Sequence, residues 1–235
     1  MSLGGRDPYR KLTLWQRILK FFGYAPRPYG PKNAGGVYDV ESLKNYPRVF
    51  DAPTYGQISS TEQVIVTEKI HGSNARYIFD GKRFWAGSHK KWWKEQNNIW
   101  WEVAKKYPWI ETFCRDWPNF TLRGEVTPTQ TGYPYGSETE KQFFAFDVQR
   151  PEGSYLDKKN LYQLSQIQSL VPVLYEGPYD AAKMKELAEG PSKVTGAKNI
   201  REGIVISSVK ERQVRGVGRA QLKLKSLKFL EKESK

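Results

Sequence analysis

Alternation of apolar and polar positions begins abruptly near Gln63. QVIVTEKI places Ile65, Thr67 and Lys69 on one face of a strand and Val64, Val66 and Glu68 on the other. ARYIF and KRFWAG flank Asp80-Gly81, which predicts a hairpin closed by a two-residue turn. In EQNNIWWEVAKKY the apolar residues Ile99, Trp100, Val103, Ala104 and Tyr107 fall at helical spacing, so its tryptophans are expected in a core. TLRGEV and KQFFAFDV read as two strands joined by a turn-rich segment. Asp157 and Asp180 are placed to cap two helical runs, one through Leu161, Leu164 and Ile167, the other through Met184 and Leu187 to Gly190. GIVISSV and AQLKLKSL predict two closing strands.

The first 60 residues differ. LTLWQRILKFF puts Leu14, Trp15, Ile18, Leu19 and Phe22 on one helical face, and YAPRPYGPKNAGG reads as a Pro/Gly linker. The expected organisation is an extension over residues 1–60, then one α+β domain over 61–235 with mainly antiparallel sheets and flanking helices.

Composition narrows the chemistry. Lys and Arg number 38 against 25 Asp and Glu, a formal net charge of +13, which favours a polyanionic partner. The single cysteine, Cys114, excludes an internal disulfide and any multi-cysteine metal site. Two histidines, His71 and His89, argue against a histidine-built zinc centre. No apolar run approaches the roughly 20 residues that span a bilayer, and the N-terminus lacks a signal-peptide pattern. A cytoplasmic protein with no membrane partner is the expectation.

Polar residues interrupt the predicted strands in a way that packing does not require. Lys69 ends the first, Glu125 sits in TLRGEV beside Gly124, and Phe146-Asp147 closes FFAFDV. Glu202 opens GIVISS, and Lys223 and Lys225 share a face of QLKLK while Leu222 and Leu224 point to a core. There is no GxxxxGK[ST] loop, and GVGRAQ lacks the third glycine of a dinucleotide loop. Together these residues suit nucleotidyl transfer. A lysine amine attacks an α-phosphate, other lysines neutralise the phosphate, and carboxylates hold a hard cation. Neighbouring cations would lower the nucleophile's pKa, a role open to Lys223 and Lys225. Phe146 offers a flat surface to a purine.

EKIHGSN at Glu68–Asn74 resembles motif I of the RNA ligase 2 family, within the covalent nucleotidyltransferases. GSHK (Gly87–Lys90), LRGE, FAFD, REGIVI and LKLK resemble that family's further motifs, in its order. The resemblance implies a nucleotidyltransferase (adenylation) domain and an ATP-dependent RNA ligase. Lys69 becomes adenylated, AMP passes to an RNA 5′-phosphate, and a 3′-hydroxyl seals the strand. It implies that Glu68, His71, Asn74, Glu125, Phe146, Glu202, Lys223 and Lys225 bind the nucleotide. Glu202 and Glu125 would bind Mg²⁺ or Mn²⁺, directly or through water. Ser88, His89 or Lys90 would meet the 5′-phosphate, where the family usually carries an arginine. The implied partner is RNA with 5′-phosphate and 3′-OH ends, including nicked duplex, and the enzyme is expected to act as a monomer without a C-terminal OB or accessory domain. A phage-encoded member would act in the host cytoplasm. A DNA ligase or guanylyltransferase on the same fold, or a catalytically silent nucleic-acid-binding module, is the alternative.

Overall fold

Two large sheets stand where the alternating segments were expected, and two short strands near the C-terminal end form a third, two-stranded sheet. The computed structural model describes residues 58–59, 61–214 and 218–234, together with the backbone of two short strands, β1 (Val37–Tyr38) and β2 (Phe50–Asp51). The amphipathic stretch of residues 14–22 and the Pro/Gly linker lie outside the described residues. The chain continues as β3 (Gln63–Lys69), β4 (Ser73–Phe79), β5 (Phe84–Ser88) and β6 (Trp92–Trp93). Helices α1 (Ile99–Lys106) and α2 (Trp109–Asp116) precede β7 (Thr121–Thr127) and β8 (Gln142–Gln149). Next come α3 (Lys158–Tyr162), β9 (Val173–Pro178), α4 (Ala181–Ala188), β10 (Gly203–Ser208), β11 (Gln213–Val214) and β12 (Gly218–Arg219). The last elements are β13 (Gln221–Lys225) and α5 (Leu227–Glu233). No helix among the described residues is long and apolar enough to cross a membrane.

The first sheet runs β1-β6-β5-β4-β7-β8 and the second β2-β13-β10-β3-β9, and the only parallel pairing named between their strands is that of β13 with β2. The fold is thus α+β with mainly antiparallel sheets, as expected. β1 and β2 come from the segment assigned to the extension, and each adds an edge strand to a different sheet.

Three large apolar clusters follow from this layering, beside a small one of Ile78, Trp85 and Trp92. Even-numbered residues of β7, Leu122 and Val126, pack with Trp101, Val103, Ile110 and Phe113 of α1 and α2 on the outer face of the first sheet. Asn98 caps α1 by accepting the Trp101 N–H, a contact worth about 1 kcal/mol. On the second sheet Val64, Val66, Ile204, Ile206 and Leu222 pack with Met184 and Ala188 of α4. Here Asp180 caps α4 through the Lys183 N–H, and Gly190, at φ +113°, turns the chain away as expected. A third cluster, with Ile70, Tyr133, Tyr135, Phe144 and Phe229, lies where the chain passes from one sheet to the other.

Several local expectations are corrected. The hairpin turn is centred on Gly81-Lys82 rather than Asp80-Gly81, because the Asp80 carboxylate accepts the N–H groups of Lys82 and Arg83 and its own N–H donates to the Arg83 carbonyl. Asp157 occupies the cap position of α3 but spends its carboxylate on the Glu211 N–H, 2.7 Å away. That helix ends at Tyr162, short of Leu164 and Ile167. After β13 the chain turns at Ser226 into α5, which Ser226 caps through the Phe229 N–H, so the expected closing strand stops at Lys225.

One glycine is fixed by the sheet itself. Gly203 pairs with Lys69 on one side and Lys225 on the other. A Cβ built there would stand 2.1 Å from the Leu224 carbonyl oxygen, and its φ is +153°. Gly203→Ala is therefore expected to lose about 1–3 kcal/mol of stability. Urea unfolding of the purified variant checks this, and an unchanged midpoint would contradict the packing described.

Candidate active site

The chain leaves the second sheet at Lys69 and enters the first at Ser73, so Lys69-Ile70-His71-Gly72 is the crossover between them. Each residue meets a different constraint. Ile70 is buried in the inter-sheet cluster. A Cβ on Gly72 would fall 2.3 Å from the Val126 carbonyl oxygen, so only glycine slips past β7, and the Gly72 N–H bonds the Glu125 carboxylate. His71 donates its backbone N–H to the Tyr135 hydroxyl at 2.8 Å, and its ring sits edge-on to Tyr133 and Phe229, with centroids 4.8 and 5.1 Å away. The spacing of lysine and glycine is thus the shortest path between sheets that leaves the lysine side chain in the gap.

What Lys69 meets there is a carboxylate. Its Nζ lies 2.6 Å from Glu202 Oε2, which is also 3.2 Å from His71 Nδ1, and Lys225 Nζ is 3.9 Å from Glu202 Oε1. Glu202 is buried, its side chain 3% exposed. Burial opposes its charge, but the bonds from His71 and Lys69 outweigh burial and hold its pKa below the ordinary value. Lys69, Gly203 and Lys225 occupy one row across β3, β10 and β13, which is why glycine stands between the two lysines. The charge paired with Lys69 is therefore Glu202, a contact that nothing in the sequence indicated.

A cavity of about 180 Å³ opens beside Lys69, lined among others by Glu68, Asn74, Glu125, Phe146, Val205 and Lys223. Asn74 and Glu125 are register partners across β4 and β7, and the Asn74 carbonyl is held by the Trp100 indole N–H at 3.0 Å. That indole stacks on Trp93 at 4.7 Å; Trp101 is buried in the core as expected, while Trp100 and Trp93 are partly buried against it. Phe146 owes its position to a bulge. Arg123 pairs with Asp147 and Gly124 with Ala145, which leaves Phe146 as the extra residue of β8 and lets it and Asp147 both reach the cavity. Lys223 and Lys225 face away from Leu222, which enters the core as predicted.

Glu125 is the site's most perturbed carboxylate. Burial and the Glu202 charge raise its pKa to about 8, against the pull of Lys69 and the Gly72 N–H. Glu68 is also raised, mainly by burial, although the Ser192 hydroxyl and the Lys193 N–H oppose this. Two coupled carboxylates with oxygen donors suit a hard divalent cation. Among the described residues no group of three or more His, Cys, Asp or Glu could hold a metal, so such an ion would complete its shell with water and phosphate oxygens.

Ser88, His89 and Lys90 do not line the cavity. Ser88 pairs with Ala75, one strand beyond the row of Asn74 and Glu125. Burial and the charges of Arg123, Lys90 and Arg76 push the His89 pKa down to about 4, so His89 is neutral at pH 7 and offers an N–H rather than a charge.

The sequence reading missed two groups. Tyr133, Tyr135 and Phe229 fix His71, and nothing local marks them, because they converge from distant segments. Asp147, Lys158 and Arg219 also line the cavity. They form a buried ion network: Asp147 Oδ1 is 2.8 Å from Lys158 Nζ and Asp147 Oδ2 is 2.7 Å from Arg219 Nη1. Burial works against the Asp147 charge, but the two cations hold its pKa well below the carboxylate range. Asp147 did have a signal, since it follows Phe146 in FAFD.

A family model described as RNA ligase matches residues 62–225. Comparison with curated proteins finds no match. Among solved structures, an RNA ligase from Naegleria gruberi with PPi superposes with a TM-score of 0.66 at 19% identity, over 92% of this chain and 67% of that one. A variant of that enzyme with ATP and Mn gives 0.67 at 20%, over 92% and 67%. Another with AMP and Mn gives 0.64 at 20%, over 92% and 66%. The chain thus spans about two thirds of the Naegleria protein, and at this identity the likeness establishes the fold.

The raised pKa of Glu125 has a consequence for stability. The group binds its proton more tightly when folded, so the stability it contributes is full below its ordinary pKa of 4.5 and is lost as pH rises through about 8. Thermal melts of the metal-free protein are expected to fall across this window, and Glu125→Gln to flatten the fall. Parallel pH profiles for both proteins would refute the assignment.

Proposed function

The chain belongs to the RNA ligase family, and we propose that it is an ATP-dependent RNA ligase that works through a covalent lysyl-AMP on Lys69. The observation that carries this reading is the Lys69 amine at the mouth of the cavity, 2.6 Å from a buried carboxylate, with Phe146 and Val205 on the walls and Lys223 on the lining. The Naegleria enzyme's capture with ATP and Mn and with AMP and Mn supports it.

Adenine would lie in the cavity against Phe146, with Glu68 as a hydrogen-bond acceptor suited to the exocyclic amine. Guanine would present a carbonyl there instead, which favours ATP over GTP. Asn74 and Glu125, register partners across β4 and β7, would meet the sugar, and Lys223 and Lys225 the α-phosphate. Attack needs the amine's lone pair, so the Lys69–Glu202 pair must open and Lys69 must give up one proton to solvent before attack and a second as the phosphoramidate forms. The new N–P bond forms at the α-phosphorus as the bond to the β-phosphate oxygen breaks and pyrophosphate departs. Glu202 and Glu125 would hold Mg²⁺ or Mn²⁺ at this point, and the ion would add charge neutralisation on the phosphate. His71, kept edge-on by Tyr133 and Phe229, would hold Glu202 in place when Lys69 moves to the nucleotide. AMP would then pass to an RNA 5′-phosphate, and a 3′-hydroxyl would displace it. The net charge of +13 suits an RNA partner.

Intact mass after incubation with ATP and Mg²⁺ is expected to show one added AMP unit, absent in Lys69→Ala and absent with GTP. An unchanged mass, also after pyrophosphate treatment to strip and reload the enzyme, would refute covalent transfer. Glu202→Ala and Lys225→Ala are each expected to slow adenylation by about 10²-fold or more while remaining folded. Adenylation at the wild-type rate by either would remove that residue from the site.

A further inference from the structure

The buried charges behind Phe146 close into a ring. Lys158 on α3 bonds Asp147 on β8, Asp147 bonds Arg219 on β12, and Arg219 bonds Glu211. The Glu211 N–H then donates to Asp157, the residue next to Lys158. The Arg219 guanidinium also lies 3.7 Å over the Tyr155 ring. Asp147 and Glu211 offset the two cations and Asp157 closes the ring through a backbone N–H, so the ring ties β8, α3 and the β11-β12 pair together.

Lys158 does one thing that charge balance does not need. Its Nζ donates to the carbonyl of Phe146 at 2.6 Å. Phe146 is the bulged residue of β8, so β7 does not fix its backbone in the regular ladder. We propose that Lys158 is the positioning residue of the purine platform: by clamping the bulged carbonyl it sets the angle at which the Phe146 ring meets the base. Lys158 touches the platform's backbone and is not assigned a chemical step. This rests on the reading that the cavity takes ATP.

The test is a double-variant cycle on ATP KM and kcat for adenylation, with wild type, Lys158→Met, Phe146→Ala and the pair. If Lys158 acts through Phe146, each single change raises KM about tenfold with kcat within about threefold, and the pair raises it about tenfold rather than a hundredfold. A KM that multiplies in the pair, or is unchanged in folded Lys158→Met, overturns the proposal. So does a loss confined to kcat. Lys158→Arg preserves charge and serves if the Met variant does not fold. Its planar head cannot reproduce both bonds, so its KM is expected to rise while its melting temperature holds. A wild-type KM in Lys158→Arg would show that charge balance is all that position 158 supplies. Wild-type protein that never adenylates with ATP would instead sink the functional reading, a result separable from every outcome above.

Discussion

A buried carboxylate at the junction of two sheets sets the terms for this site. Glu202 is almost wholly excluded from solvent, and a lone charge there would be costly. Lys69, His71 and Lys225 converge on it from β3, the crossover and β13. Meeting that demand aligns two lysines on either side of Gly203, and the same alignment leaves Lys69 on the lining of a cavity. The group that stabilises the folded arrangement is thus also the one whose partner would have to let go for Lys69 to act as the proposed nucleophile.

The crossover explains why so few residues carry so much of the site. Between Lys69 and Ser73 the chain changes sheets, buries Ile70, avoids the Val126 carbonyl at Gly72 and bonds Tyr135 through the His71 N–H. No step has slack. On the opposite wall a bulge does comparable work: one inserted residue in β8 turns both Phe146 and Asp147 toward the cavity. Both devices break sheet regularity where a ligand would sit, while the clusters behind them stay regular and apolar.

Buried ion pairs divide into two kinds here. Around Asp147 the charges balance and the carboxyl pKa falls. Removing one partner from such a pair typically costs about 3–5 kcal/mol. Around Glu125 burial and the Glu202 charge outweigh the pull of Lys69, and its pKa rises to about 8. The proposed function makes sense of the contrast, because a site proposed to receive a cation and a polyphosphate would keep a carboxyl in reserve, whereas the ring behind it would not.

The amino-acid sequence alone located β3, β4, β5, β7, β8, β10 and β13 and marked the candidate chemistry-bearing residues, but not β6 or β9. Alternation located β3, β7, β8 and β10, and helical spacing located α1 and α4, because one-sided burial imposes a period that is written locally. Lys69, Glu125, Phe146, Glu202, Lys223 and Lys225 stood out as polar or aromatic interruptions at strand ends, and the structure brings them together around one cavity and its adjoining ion pairs. Only the tertiary structure decided which charge faces which. Nothing in EKIHGSN says that Lys69 meets Glu202, 133 positions away, or that Tyr133, Tyr135 and Phe229 hold His71. The turn at Gly81-Lys82, the diverted Asp157 carboxylate and the bulge at Phe146 likewise depend on partners elsewhere in the chain. Periodicity records which face of an element is buried, and it carries no record of what that face is buried against.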